Sequence, residues 1–506
     1  MTYDLNFYTK QLKKMNLLKN AELMQAGEEP VLHLEYHSKK VKPGTLFVCK
    51  GNHFKVDYLK EAIQRGAIGY VAEENVHLDE EIPHLSVSDI REAMPVLADF
   101  FYNRPGEKLK IIGIGGTKGK TTTTYFTKAV LDAYLKAQDK RPAGLISSIT
   151  NYTGQEEESA ENTTPEALDL QAYLADAVNN GLEYVVMEVS SQALKYHRTD
   201  RITFDVGIFL NIDEDHISPI EHPNFQDYLE SKAKMFGQTK SLLVNCETQE
   251  ADYLFHRAKE AEKFYSFSVE SKNADYYASD IEVLDLESHF HMHSGTDDVP
   301  FRLTMPGKFN VENAVAAIAV GHLLGIPIEY AQKALKDVEV PGRMRIMSSE
   351  DEKIIAVADF AHNRLSFENL IQSMREIYPE YKVVTIFGAP GGKALGRREE
   401  LGTVAGQMAD FVYLTMDDPD LEDVSDISEE IAVYVKREGT PYQIINHRTE
   451  AIQTAFKNAD GKTLILVIGK GHEKVMKIDG QEVPIPSDEE LIQACIERYN
   501  DHPSKE

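Results

Sequence analysis

Cysteine is scarce in this chain: Cys49, Cys246 and Cys495 lie far apart, and none belongs to a metal-ligand spacing. Neither a disulfide framework nor a structural zinc site is indicated, and the three thiols are expected to be buried or inert. Positive charge is also in short supply. With 54 Lys and Arg against 82 Asp and Glu, the formal net charge is −28. That argues against a nucleic-acid partner, because a polyphosphate backbone is held by clustered Lys and Arg. A small anionic ligand remains compatible, since salt screens the global field beyond about 8 Å and local N–H groups act inside that range. Long apolar runs are missing too. No stretch approaches the roughly 20 residues that cross a bilayer, and "MTYDLNFYTKQLKK" lacks the apolar block of a secretory signal. The expectation is a cytoplasmic protein with no membrane insertion.

At 506 residues the chain is too long for one core. Three blocks emerge, with no low-complexity linker between them. Residues 1–106 mix short strand patterns ("GTLFVCKG", "AIGYVAEE") with helical ones ("VDYLKEAIQRGA"), and "FYNRPGEK" is a turn-rich join. Residues 107–340 alternate strands ("YVVMEVSS", "FDVGIFLN") with helices, which predicts a largely parallel sheet covered on both faces. Residues 341–506, after "VPGRM", alternate again through "KIIAVADFAH", "YKVVTIFGAP", "DFVYLTMDDP" and "TLILVIGKGHE". Each of these strands ends in a polar or glycine-rich tip, where open α/β sheets bind their ligands.

What is present most conspicuously is "IGIGGTKGKTTTT", residues 112–124, between the strand-like "LKIIGI" and the amphipathic "TTYFTKAVLDAYL". The order is strand, loop, helix. Backbone N–H groups of such a loop and the positive end of the helix dipole cradle phosphate oxygens. Lys120 can reach the outer phosphates, and Thr121 can ligate Mg²⁺. The spacing departs from the usual one, since the residue five before Gly119 is Ile114 and the other glycines, Gly115 and Gly116, sit closer in. A plain surface turn is the competing reading, and the strand and helix on either side weigh against it. Downstream, Glu188 and Ser190 end a buried strand, where a carboxylate needs a partner or a metal. Asp215 and His216 end the next strand, where an imidazole could complete a divalent-cation shell.

Ten ordered motifs, "HSKKVKPGTLFV", "GGTKGKTTT", "NTTPE", "MEVSSQAL", "NIDEDH", "YLESKAKMF", "GKFNVENAVAA", "VPGRM", "DFAHN" and "GKGHE", span nearly the whole chain. In this order they resemble the Mur ligase family, most closely the members that add the third amino acid of the peptide. The resemblance implies an α/β architecture of three domains: a substrate domain, a central P-loop parallel-sheet ATPase domain and a Rossmann-like C-terminal domain. It implies an enzyme that uses ATP and Mg²⁺ to phosphorylate a carboxylate and then lets an amine attack the acyl phosphate. The implied substrates are UDP-N-acetylmuramoyl dipeptide and an amino acid, and a monomer is expected. Such chemistry relies on positioning and electrostatics, in agreement with the phosphate cradle.

By the same resemblance, Gly116, Thr117, Lys118, Gly119, Lys120, Thr121 and Thr122 hold ATP phosphates, and Thr121, Glu188 and His216 gather round magnesium. Lys232 matches the family's modified lysine, whose carbamate bridges to a second metal. From its own spacing Lys232 reads only as a solvated helix lysine. Asn313 matches an adenine-reading asparagine, with Arg343 and Asp359 on phosphate and ribose. Ser38 matches a uridine-side serine, and Asn162, Thr163, Thr164, Ser190 and Arg198 match the sugar-peptide contacts. Two departures fall here: "HSK" stands for Asp-Ser-Arg, and Tyr196 stands where a glutamine is usual. Arg345 for a glutamate and the missing proline after "DFAHN" are further departures without a physical account.

The tip "TMDDPDLEDV" occupies the place where the family reads its amino acid. Diaminopimelate-adding members carry Asn-Pro-Arg there, the arginine clamping a distal carboxylate. This chain has Asp417, Asp418, Pro419 and Asp420, with Lys393 in place of another arginine. An aspartate repels a carboxylate and attracts an ammonium, so L-lysine is the expected guest, with Gly469 and Glu473 helping to hold it. An acidic, solvated helix start is the bland reading of the same residues. Another diamino acid (ornithine or meso-diaminopimelate) or a non-catalytic nucleotide-regulated binding subunit are the alternatives at this point.

Overall fold

The computed structural model describes residues 2–23, 27–51, 54–78, 81–214, 217, 221–284 and 286–501. The chain forms two compact units. One comprises Met1–Tyr277, His293–Asp297 and Asn313–Ala334; the other comprises Ala278–Met292, Asp298–Glu312 and Leu335–Glu506.

The first unit contains a small sheet in the order Leu18–Glu22, His84–Val87, Ala67–Ala72, Thr45–Val48, His33–Glu35. All its pairings are parallel except that of the first edge strand. Thr45–Val48 is buried at all four positions, as expected of a parallel strand covered on both faces. Leu46, Val48, Val71 and Leu85 pack against Leu5, Tyr8 and Leu12 of one helix and Leu97 and Phe100 of another.

The larger sheet of this unit is centred on Lys110–Gly115, with Tyr184–Val189 and Phe204–Phe209 pairing in parallel on either side. Thr239–Asn245 and Lys263–Ser268 continue it beyond Phe204–Phe209, and Gly144–Ile146 continues it beyond Tyr184–Val189. Pairing of Glu188 with Ile114, and of both Val189 and Phe209 with Gly115, brings three strand ends level. Their carboxyl edge is therefore one continuous rim. The alternation in the sequence predicts a largely parallel sheet; the structure adds an antiparallel edge, Thr150–Tyr152 and Glu157–Ser159. Three-residue strands are too short to leave a period.

The second unit is built on a six-stranded sheet, ordered Arg345–Ser348, Ile354–Asp359, Thr463–Ile468, Lys382–Phe387, Phe411–Leu414, Tyr442–Ile444. Only the first pairing is antiparallel. Helices connect the parallel strands, and Val424–Glu438 shows why they begin and end where they do. Asp423 caps it by accepting the Ser425 N–H at 2.7 Å, and Gly439 ends it at φ 86°. The acidic helix start is thus Asp423, outside the Asp417–Asp420 tip. A hairpin, Val475–Ile478 with Gln481–Pro484, follows the last core strand.

Among the described residues no helix is long and apolar enough to cross a membrane. All three cysteines are free, Cys49 and Cys495 buried and Cys246 half-buried. Burial pushes the Cys246 thiol up to about 11, in keeping with an inert role.

Candidate functional site

The phosphate loop leaves Lys110–Gly115 and enters the helix Lys120–Ala137. Its shape is fixed from the neighbouring strand end, by a residue that the sequence reading passed over. Asn211 accepts the Thr117 N–H through its carbonyl at 2.9 Å and the Lys118 N–H through Oδ1 at 2.8 Å. Thr117 Oγ1 lies 3.0 Å from Tyr228 Oη and accepts the Asp213 N–H at 3.1 Å. Gly119 adopts φ 79°, and a Cβ there would run into Asn313 Oδ1, so only glycine fits. Asn313 is buried and accepts from Thr123 Oγ1 at 3.1 Å, which seats it against the loop. Thr122 is buried in the first turn of the helix.

Two lysines converge on one carbonyl of this loop. Lys120 Nζ donates to Gly116 O at 2.9 Å and Thr117 O at 3.0 Å; Lys232 Nζ donates to Gly116 O at 2.7 Å. Lys232 is only 3% exposed and lies 4.8 Å from the centroid of the Tyr228 ring. The solvated-helix reading of this residue is corrected by that burial: its helix, Phe225–Ala233, turns the lysine inward. That helix is tied to the glutamate-bearing strand tip by a chain of polar contacts. Ser191 Oγ is 3.0 Å from His222 Nε2, His222 Nδ1 is 2.6 Å from Asp227 Oδ2, and Lys195 Nζ reaches Asp227 at 2.6 Å.

Glu188 is 1% exposed, and its Oε1 accepts from Ser148 N at 2.9 Å and Ser148 Oγ at 3.2 Å. Ser148 Oγ is in turn 3.1 Å from Thr121 Oγ1. Thr121 and Glu188 are thereby brought to the same rim through Ser148. Their donors are a hydroxyl and a carboxylate, oxygen ligands of the kind a hard cation such as Mg²⁺ takes. Asp215 and His216, which belong to the expected cation shell, lie outside the described residues.

Three of the sugar-peptide candidates also meet. Thr164 Oγ1 donates to Glu188 O at 2.9 Å and accepts the Ser190 N–H at 3.0 Å, and Arg198 Nη1 donates to Thr164 O at 3.1 Å. Arg198 pairs with Glu166 at 2.7 Å, and Glu166 with Lys50 at 2.8 Å. Beside them Tyr36 Oη donates to Asp169 at 2.5 Å, and burial raises the pKa of both groups. Asn162 is exposed and Thr163 half-buried on the same segment. Ser38 is held elsewhere, donating to Glu61 Oε2 at 2.7 Å.

In the second unit the strand tips carry the remaining candidates. Asp359 is buried and accepts the N–H groups of Met344 and Ala361, both at 2.7 Å; burial raises its pKa against the pull of Arg343. Arg343 lies 4.8 Å from the Phe360 ring centroid. Asp417 is buried and burial pushes it up to about 6, opposed by Arg448 and Lys470. Gly469, at φ 118°, lies so close to Asp417 Oδ2 that a Cβ would collide with it. Arg448 and Asp488 form a buried pair at 2.7 Å; Arg448 also donates to Ile468 O, and Asp488 accepts the Gly471 N–H, both at 2.9 Å. This pair, unmarked by any local motif, fixes the glycine-rich tip. Glu473 pairs with Lys470, and burial raises its pKa. Pro419 packs on Gly391, while Lys393 is exposed and Lys470, not Lys393, is the cation nearest Asp418.

Loop, strand order and rim residues define an α/β protein of the phosphate-loop class. Two family models then match: Mur ligase middle domain over residues 114–321 and Mur ligase, glutamate ligase domain over residues 342–471. The chain belongs to the Mur ligase family, and it is a ligase. It is 37% identical over 508 aligned residues to a UDP-N-acetylmuramyl-tripeptide synthetase of Ligilactobacillus salivarius (strain UCC118), covering 96% of this chain and 98% of that one. It is 36% identical to a UDP-N-acetylmuramoyl-L-alanyl-D-glutamate--L-lysine ligase of Enterococcus faecalis (strain ATCC 700802 / V583), covering 94% and 93%. In fold it is similar to the solved structure of a UDP-N-acetylmuramoyl-L-alanyl-D-glutamate--2,6-diaminopimelate ligase, with TM-score 0.67, 22% identity and coverage of 98% and 99%.

Proposed function

We propose that this chain is an ATP-dependent ligase that joins L-lysine to the D-glutamate of UDP-N-acetylmuramoyl-L-alanyl-D-glutamate, in cytoplasmic peptidoglycan precursor synthesis. Residues 1–106 bind the UDP substrate, residues 107–340 bind ATP and residues 341–506 bind the amino acid, in a monomer. The observation that carries lysine as the guest is Asp420, whose Oδ1 is buried and has no hydrogen-bond partner. An orphaned carboxylate oxygen costs free energy unless a donor reaches it, and a distal ammonium is such a donor. The relatives named as lysine ligases support the same reading.

In this mechanism a substrate carboxylate oxygen attacks the γ-phosphorus of ATP and ADP leaves. The lysine α-amine then attacks the acyl carbon, losing a proton as phosphate departs and the amide forms. Lys120 and the first turn of its helix balance charge on the transferred phosphoryl group. Thr121 and Glu188 would hold Mg²⁺, which supplies charge neutralisation at the phosphates. Lys232, as a carbamate, would carry a second metal, and His216 is expected as a further ligand of the Mg²⁺. Asn313 holds the adenine side, with Arg343 and Asp359 on phosphate and ribose. Thr164, Ser190 and Arg198 hold the sugar-peptide, and Ser38 the uridine side. Asp417, Gly469 and Glu473 hold the amino acid.

Phosphate release from ATP, Mg²⁺ and the UDP-dipeptide, measured with each amino acid in turn, tests this. Release is expected with L-lysine; release with meso-diaminopimelate alone would overturn lysine, and none with any amino acid would leave a nucleotide-binding subunit. A variant sharpens the test. Asp420 sits at φ 55°, a conformation that asparagine tolerates, so Asp420→Asn removes charge without adding backbone strain. Its half-saturation constant for lysine is expected to rise roughly 5- to 150-fold, the equivalent of losing about 1–3 kcal/mol of a charged hydrogen bond. An unchanged constant would mean that Asp420 does not read the amino acid.

A further inference from the structure

We infer that Lys477 is a built-in competitor for the distal ammonium of the amino acid, and that it thereby tunes which side chains this pocket accepts. The inference rests on reading the Asp417–Asp420 tip as the amino-acid site. Lys477 lies on the hairpin strand Val475–Ile478, and its Nζ is 3.0 Å from Asp420 Oδ2. It occupies one oxygen of the carboxylate whose other oxygen is buried and unpartnered.

The two aspartates of the tip are held very differently. Asp418 Oδ1 accepts from Lys470 Nζ at 3.0 Å and from the Lys477 N–H at 2.9 Å, so it is committed to a buried amine and to the backbone. The Lys470 side chain is 3% exposed and that of Lys477 is 48% exposed. A buried ammonium that loses its partner pays a large desolvation cost, whereas a half-solvated one regains water. Lys477 can therefore release Asp420 at little cost; Lys470 cannot release Asp418. Asp420 is the exchangeable anion of the pair.

The hairpin's register does not depend on that amine. Asp420 N donates to Lys477 O at 2.9 Å, Asp479 N donates to Asp420 O at 2.7 Å, and buried Met476 accepts the Asp418 N–H through its sulfur at 3.0 Å. These three contacts thus place the Lys477 stem beside the tip whether or not its charge is present. An incoming ammonium must take Asp420 from Lys477 or share it. A guest ending in a neutral group leaves the internal pair intact, and a guest ending in a carboxylate finds Lys477 close by as a counter-ion. Lys477 therefore weakens lysine binding and softens the exclusion of anionic side chains.

The test is Lys477→Met, which keeps the apolar stem and removes the charge, beside Lys477→Arg, which keeps the charge. Phosphate release is followed in the full chain while lysine, ATP and UDP-dipeptide are varied separately. In Lys477→Met the lysine half-saturation constant is expected to fall about 2- to 5-fold, the range of a half-exposed ion pair, with the other two constants unchanged. Lys477→Arg is expected to keep the parental value. The ratio of kcat/KM for lysine over meso-diaminopimelate should rise in Lys477→Met alone. A lysine constant that is unchanged or raised in Lys477→Met, with the parental melting temperature retained, would overturn the inference while leaving the lysine site in place. If the parent releases no phosphate with lysine, the site reading itself fails and the inference with it.

Discussion

Lys120→Ala is expected to lower turnover by at least about 10²- to 10³-fold, the scale for deleting one preorganised charge at a transferred group. Binding of the UDP substrate should be retained. The lysine is already at the loop, donating to Gly116 O and Thr117 O. Neutral carbonyls are weaker acceptors than a polyphosphate, so bound nucleotide draws the amine from the loop to its phosphates without a backbone change. Thr117 and Lys118 are held through Asn211, and Gly116 O keeps its bond from Lys232, so the loop keeps its shape when Lys120 is shortened. Thr164 is tied to Glu188, Ser190 to Thr164 and Arg198 to Glu166. Calorimetric titration with the UDP-dipeptide, alongside phosphate release, separates the two effects. Loss of both in a folded variant would contradict the division of labour between ATP and UDP-substrate residues.

The parts of this molecule that were legible in the sequence are those whose physics is local. "YVVMEV", "KVVTIF" and "TLILVI" read as strands because a parallel strand covered on both faces is apolar throughout, and five or more of the six positions of each are buried. The phosphate loop is legible because a glycine-rich turn between a strand and a helix is itself the ligand cradle. Lys232 is the opposite case. Its place on Phe225–Ala233 marks it as one more helix lysine, and only the resemblance singled it out; its burial depends on a carbonyl 116 residues away. Ser148 lies 40 residues from Glu188, Asn211 lies 93 from Lys118, and Arg448 lies 40 from Asp488, so no short window of sequence contains any of the three pairs. Lys477 escaped for a different reason: its strand has only four residues with a single one buried, and its partner is set by the pairing of Asp420 with Ile478. The charge of "DDPDLED" was readable, but the internal cations that already answer it were not.

The same burial makes Lys232 the site of the other large effect. Lys232→Ala is expected to be nearly inactive, by about 10²- to 10³-fold, and to regain part of its activity with a small added carboxylate such as acetate. Under the proposed function the amine reacts with carbon dioxide, its nitrogen bonding to the carbon with loss of a proton, and a buried cation becomes an oxygen donor for a hard metal. Truncation to alanine removes the whole amine-bearing stem from a place that is 3% exposed, leaving space beside Tyr228 and Gly116 O that a small anion can enter. Lys232→Met separates the two parts of this argument, because it deletes the nitrogen yet fills the space. It should be as inactive as the alanine variant and should not respond to acetate. Rescue in both variants would point to a general salt effect. Inactivity of the alanine variant without rescue would assign Lys232 the simpler task of bonding Gly116 O as an ammonium, and full activity would remove it from the mechanism altogether.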